Sequence, residues 1–171
     1  CPPKVPLDAL RSFPAVVRHI RENKTIPLEN LVLLATDEGD ITRTTEYNQA
    51  LGIKNNIAFV YKQKKTEGER EIERAYFIGD VKGKDVLQID DMVGSGKTNL
   101  NAVKLVREHG SRDLYTYSTH GWFTDTRRKK ELLETFDKVM VSNTHNKELE
   151  GVEQVDVANV FAEAIYQKLS Y

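Results

Sequence analysis

The stretch Val86-Leu-Gln-Ile-Asp-Asp-Met-Val-Gly-Ser-Gly-Lys-Thr98 decides the fold. Val86 to Ile89 reads as a buried strand. It runs into two adjacent carboxylates, then a turn of small residues, then a helix. Gly94, Ser95, Gly96 and Thr98 let backbone N–H groups and hydroxyls point into one concavity at a helix N-terminus, where an anion such as phosphate is favoured. Asp90 and Asp91, just before that turn, would repel a bare phosphate. Ribose hydroxyls or a magnesium ion suit their position, since both accept carboxylate partners without repulsion.

Outward from this segment the same pattern repeats. Short apolar runs at Leu31 to Ala35, Ile57 to Tyr61, Leu114 to Tyr117 and Val139 to Val141 have strand length. Helical segments lie between them: one capped by Ser12, with Pro14 tolerated in the first turn, then Thr42 to Leu51, Asn99 to Glu108 closed by Gly110, and Arg128 to Phe136. In the last segment Asp156 is placed to cap a helix. Val157, Val160, Phe161, Ala164, Ile165 and Leu169 there share one apolar face. The alternation predicts an α/β domain with a mostly parallel sheet flanked by helices. Ligands of such sheets sit at the C-terminal strand ends, which directs attention to two loops, Thr36 to Arg43 and Asp90 to Thr98.

Composition narrows the function. The 171 residues, 39% hydrophobic and 30% charged, predict a single domain spanning 1–171. A net charge of −1 leaves no basic excess for a long phosphate backbone, so a nucleic-acid partner is not expected. The lone cysteine, Cys1, cannot form an internal disulfide. No run approaches the length of a membrane span, and no apolar signal core opens the chain. A cytoplasmic protein without a membrane partner is the expectation. The Cys-Pro-Pro opening has the look of a trimmed piece. No histidine or cysteine spacing suggests a zinc site. His19 and His109 are expected at the surface, and Arg127-Arg-Lys-Lys130 reads as a solvated helix face or a seat for an anionic effector.

Two readings of the glycine loop compete on residues alone. Gly-Ser-Gly-Lys-Thr imitates the end of a nucleotide-binding G-x-x-x-x-G-K-[ST] loop, but Asp91 stands where its first glycine belongs. The other is an acidic pair that closes a strand and caps a helix. A third comes from likeness: the segment resembles the phosphoribosyl diphosphate (PRPP) motif of type I phosphoribosyltransferase folds. The longer resemblance, from about Pro14 to Ala164, is to the C-terminal half of the ribose-phosphate pyrophosphokinases, or PRPP synthetases. It is carried by Phe77-Ile-Gly-Asp-Val81, Ser118-Thr-His-Gly-Trp-Phe123, Val141-Ser-Asn-Thr144 and Val155-Asp-Val157 leading into Phe161-Ala-Glu-Ala-Ile165.

That resemblance implies a type I phosphoribosyltransferase-like fold and transfer of diphosphate from MgATP to ribose 5-phosphate, with Mg2+ as cofactor. Asp90 and Asp91 would hold the ribose hydroxyls, directly or through magnesium. Gly94, Ser95, Gly96, Lys97 and Thr98 would form the 5-phosphate cradle. Asp37 and Gly39 would belong to the pyrophosphate loop, with Asp37 a further magnesium ligand. Lys62 and Lys64, in Tyr61-Lys-Gln-Lys-Lys65, match the mobile catalytic loop; on residues alone they could also tip a solvated hairpin. In the family, the residues for adenine and part of the ATP phosphate site come from an N-terminal half without counterpart in these residues. The implied partners are ribose 5-phosphate or PRPP, ATP in the complete protein, and further copies of the same chain. Departures stand at four positions: Gly94 replaces an acid, Lys97 a glycine, Lys64 an arginine with loss of its planar fork, and Asp40 a glycine, the last placing a carboxylate where it would repel diphosphate. They leave open a relative acting on another phosphosugar, or a non-catalytic regulatory subunit.

Overall fold

The computed structural model describes residues 9–55, 57–67, 70–145 and 148–170, apart from the side chains of 63–67 and 70–74. Along the chain lie α1 (Phe13–Asn23), β1 (Leu31–Ala35), a 3-10 turn (Glu38–Asp40), α2 (Ile41–Leu51), β2 (Ala58–Glu67), β3 (Arg70–Ile78), β4 (Asp85–Val93) and α3 (Lys97–Glu108). They are followed by β5 (Leu114–Gly121), α4 (Thr126–Thr135), β6 (Lys138–Ser142), β7 (Glu153–Val155) and α5 (Ala158–Leu169). The strands form one sheet in the order β3-β2-β1-β4-β5-β6-β7. Every neighbouring pair is parallel except β2 with β3.

Both faces of the sheet are covered, which is why β1 is apolar at every position and buried throughout. Val32, Leu34 and Val86 pack on one face with Val103 and Val106 of α3 and Leu132 of α4. Leu31, Leu33, Leu87 and Ile89 pack on the other with Val16 and Ile20 of α1 and Tyr47 and Leu51 of α2. The base of β4 is pinned by a fully buried carboxylate: Arg112 donates to Asp85 through Nε at 2.9 Å and Nη2 at 2.8 Å. Such a planar two-point contact suits an arginine and would be lost with lysine.

The elements differ from the sequence expectation in four places. The run at Ile57 to Tyr61 begins a ten-residue strand that pairs antiparallel with β3, so Tyr61 to Lys65 lies on a hairpin strand rather than in a loop. Ser12 precedes α1, yet its hydroxyl does not cap it. It accepts instead from Tyr117 Oη at 3.0 Å and sits 3.2 Å from Thr119 Oγ1, because the buried phenol needs a partner. Asp156 does accept from the first helical amide, Ala158 N, at 2.9 Å. The apolar face of α5, however, is uncovered by the described residues: Phe161, Ile165 and Leu169 are 50%, 59% and 81% exposed. His19 is half-buried and paired with Glu153, whereas His109 is exposed.

Candidate functional site

β4 carries the acidic pair towards its C-terminal end, with Met92 and Val93 still in the strand beyond it. Successive strand side chains face opposite ways, so the two neighbours part. Asp90 is buried, with Asn99 Nδ2 of α3 donating to its Oδ2 at 3.2 Å and Asp91 N donating to its Oδ1 at 2.8 Å. Asp91 is exposed, and Arg43 Nη2 of α2 lies 3.9 Å from its Oδ2. Burial, with the Asp40 charge second, pushes the Asp90 carboxyl up to about 7.

Asp40 does not stand free in the loop. It is buried, accepts from Thr36 Oγ1 at 2.9 Å and pairs with Arg43, whose guanidinium thus reaches towards both Asp40 and Asp91. Burial raises its pKa as well. The preceding turn is held by Asp37, whose Oδ1 accepts from Asp40 N at 3.1 Å. The repulsion expected from a carboxylate at position 40 is therefore countered by a cation in the first turn of α2.

The glycine loop is shaped by close approach. Gly96 has φ +80°, and a Cβ built there would lie 2.7 Å from Leu132 Cδ1, so a side chain would strain the backbone and force Leu132 of α4 to shift. Gly96 at the N-cap has no side chain to cap α3, and Ser95 Oγ accepts from Lys97 N only at 3.5 Å, which leaves the other first-turn N–H groups for a ligand. From the other side, Trp122 N and Phe123 N donate to Val93 O at 3.0 and 3.2 Å, and Thr124 N donates to Gly94 O at 3.0 Å. A Cβ at Gly94 meets nothing within 4 Å. Gly96→Ala should therefore lower stability by about 1–3 kcal/mol through strain and overpacking, whereas Gly94→Asp should stay within about 1 kcal/mol of the parent. Thermal denaturation of the two variants checks the contrast, and equal losses would refute it.

These pieces meet in one cavity of about 270 Å³, lined by Asp37, Lys62, Asp90, Asp91 and every residue from Gly94 to Thr98, with Met92 and Asn99. Lys62 enters from β2, where it pairs in register with Ala75. Lys64 lies two residues on, opposite Glu73, and its side chain is outside the described ones. Gly39 lies instead on an adjoining cavity of about 400 Å³ that shares Asp91 and is also lined by Arg43, Thr119 and His120. Among the described residues no three His, Cys, Asp or Glu side chains converge as a metal cage. Arg43, Thr36 and Asn99 had no role in the sequence reading. The i, i+3 step from Asp40 to Arg43 could have flagged the first, but nothing local flags Asn99. Of the basic run, Arg128 pairs with Asp125, Lys129 lies over the Phe123 ring and Lys130 pairs with Glu134, which favours a helix face over an effector seat.

The raised Asp90 pKa makes a stability prediction. Between the ordinary carboxyl range and about 7, the folded chain keeps a proton that the unfolded chain has released, so stability falls as pH rises through that window. Asp90→Asn removes the buried charge, and Asn99 can turn its amide to meet the new donor. The variant should melt about 5 °C higher than the parent at pH 8 in metal-free buffer, with the gap closing towards pH 4. A gap independent of pH would show that Asp90 does not carry the shift.

An open sheet, parallel but for one edge strand, with an acidic pair and a small-residue loop at the C-terminal end of its central strand, defines a phosphoribosyltransferase-type fold. Residues 70–170 match the phosphoribosyl synthetase-associated domain, and the chain belongs to that family. It is 31% identical over 163 residues to ribose-phosphate pyrophosphokinase 2 of Saccharomyces cerevisiae, covering 94% of this chain and 49% of that one. It is also 31% identical over 169 residues to the ribose-phosphate pyrophosphokinase of Porphyromonas gingivalis, covering 98% and 52%. The phosphoribosylpyrophosphate synthetase of Mycobacterium smegmatis superposes with a TM-score of 0.78 at 27% identity, over 98% of this chain and 53% of that structure. The chain spans about half the length of these relatives. No helix among the described residues is long and apolar enough to cross a membrane.

Proposed function

We propose that residues 1–171 form the sugar-phosphate-binding domain of a ribose-phosphate diphosphokinase, which in the complete protein moves a diphosphoryl group from MgATP to the anomeric hydroxyl of ribose 5-phosphate. The observation that carries this is the single cavity joining Asp37, Lys62, the acidic pair and the loop from Gly94 to Thr98. Each Asp90 oxygen already accepts one bond and has a lone pair left, so the pair can take ribose hydroxyls. The loop offers N–H groups and hydroxyls to the 5-phosphate. Lys62, and Lys64 after it, supply positive charge where the transferred phosphates gain negative charge.

A magnesium ion fits the donor set. Asp37, Asp90 and Asp91 all line the cavity and carry carboxylate oxygens, the ligand type magnesium takes, although no three such side chains converge on one point among the described residues. When bound, it would neutralise phosphate charge beside the acidic pair. A reducing, cytoplasmic setting and assembly with further copies of the chain are part of the same reading.

Calorimetry on the isolated chain tests the site. Ribose 5-phosphate and PRPP should bind in the presence of magnesium, and ATP should bind poorly, since Asp91 occupies the place of the first nucleotide-loop glycine. Submicromolar ATP affinity that disappears in Lys97→Ala would overturn the reading in favour of a nucleotide loop.

A further inference from the structure

Behind the acidic pair, the sheet face covered by α3 and α4 carries polar side chains among apolar ones. Gln88 and Asp90 of β4 share that face with Val86, and Thr116 and Ser118 of β5 stand beside them in register, Gln88 with Thr116 and Asp90 with Ser118. All four are buried, Gln88 at 1% exposure and Thr116 at 4%. Neither amide atom of Gln88 meets a hydrogen-bond partner among the described residues, and neither does Thr116 Oγ1. A buried polar atom left so costs about 1–3 kcal/mol, and three side by side call for a partner. A direct bond between the two side chains would still leave Gln88 N–H protons unpaired, because the flanking Leu34 and Val86 offer them nothing. Asp90, two residues along the same face, has acceptor capacity to spare, since its Oδ2 takes a bond from Asn99 and keeps a lone pair.

We infer that Gln88, Thr116 and Asp90 bind one internal water molecule, which ties the acidic pair to the core. In-register side chains of neighbouring strands stand about 4.8 Å apart, and two hydrogen bonds through one water span up to about 5.6 Å. Asp90 lies roughly 6.7 Å along the strand from Gln88, a gap that the glutamine side chain and the same water cross together. Gln88 Nε2 donates to the water, and the water donates to Thr116 Oγ1 and Asp90 Oδ2. Thr116 turns its own proton to Gln88 Oε1. Every unpartnered atom is then satisfied, and the water makes about three bonds, the usual number for a buried one. Asp90 Oδ2 is held under α3 by Asn99 and the water, which leaves Oδ1 as the oxygen offered to the cleft. Gln88 and Thr116 are thus positioning residues for Asp90, and the water site itself does not rest on the phosphosugar reading.

Gln88→Met separates this bridge from a dry, unpaired amide by the sign of its effect. Methionine keeps the length and removes the donor, so it raises the melting temperature where it deletes an unpaired amide and lowers it by about 3 °C where it deletes a bonded one. The loss is expected, at pH 8 in metal-free buffer. It should shrink by about half or more in an Asp90→Asn background, because a charged acceptor holds the water more strongly than a neutral one. Thr116→Val should show a smaller loss with the same dependence on Asp90, and it decides the matter should Gln88→Met not fold. A high-resolution crystal structure of the unliganded chain should show a water within hydrogen-bond distance of Gln88 Nε2, Thr116 Oγ1 and Asp90 Oδ2. A higher melting temperature for Gln88→Met, equal losses in the two backgrounds, or Gln88 Nε2 without a water overturns the bridge. Calorimetry reads the positioning role: ribose 5-phosphate with magnesium should bind Gln88→Met about fivefold more weakly than the parent, the scale of one hydrogen bond, and equal affinity overturns that role. A parent chain that binds no ribose 5-phosphate defeats the proposed function, while the melting temperatures and the crystal structure still decide the bridge.

Discussion

Ribose 5-phosphate binding should fall at least 100-fold when Asp90 and Asp91 are both replaced by asparagine, while the folded chain becomes more stable above pH 7. The two effects have separate causes. Hydrogen bonds to charged groups contribute about 1.5–3 kcal/mol each, so losing two carboxylate acceptors costs the sugar several kcal/mol. Asp90, in contrast, carries its charge at a cost: it is buried, Asp40 lies near enough to disfavour its ionisation, and its pKa is pushed up to about 7. Neutralising it removes a penalty that the folded chain bears without ligand. A residue retained for packing would lose stability on substitution, whereas a residue retained for binding gains it. Calorimetric titration with magnesium and thermal melts at pH 8 on the same variant read both quantities. Unchanged ribose 5-phosphate affinity in the double variant would remove the acidic pair from the site.

Much of this arrangement is readable from local pattern, and what is not has a physical reason. The run from Leu31 to Ala35 and the step from Ile89 into Asp90 announce a buried parallel strand, because a sheet covered on both faces leaves no polar alternation. Gly96 announces the tight turn, although its real constraint is contact with Leu132 of α4, which no local window contains. The hairpin of β2 and β3 is obscured by charge. Lys62 to Glu67 alternates too few apolar residues to be read as strand, yet backbone pairing with β3 extends through Glu67. The helical face of α5 is a different case. Periodicity shows that a face is apolar but not what covers it, and among the described residues that face stays open. Asp40 shows the same limit in electrostatics. Read alone, it is a repulsive carboxylate in a phosphate loop; in the fold, Thr36 and Arg43 hold it inside. Charge at a site belongs to the cluster, and the cluster is assembled by topology.

Lys62→Ala or Lys64→Ala in the complete protein should lower kcat by roughly 10² or more while leaving ribose 5-phosphate affinity within a fewfold. The placement of Lys62 supports this for one of the pair, since it comes from β2 to the cavity that also holds Asp37 and the acidic pair. Positive charge there meets negative charge that grows as the diphosphoryl group moves, and an interaction stronger in the transition state than in the ground state appears in kcat rather than in binding. Lys64 follows two residues on along the same strand. A solvated hairpin tip would behave otherwise, because surface substitutions usually change stability by no more than about 0.5 kcal/mol and would leave the rate alone. Rapid-quench measurement of AMP formation reports the chemical step apart from product release. Wild-type rates in the double variant would exclude the hairpin from the mechanism. Undetectable AMP formation by the unaltered complete protein would instead make Gly94 the telling departure, an open position where the enzymes it resembles carry an acid, and would favour a regulatory subunit that binds the phosphosugar without turning it over.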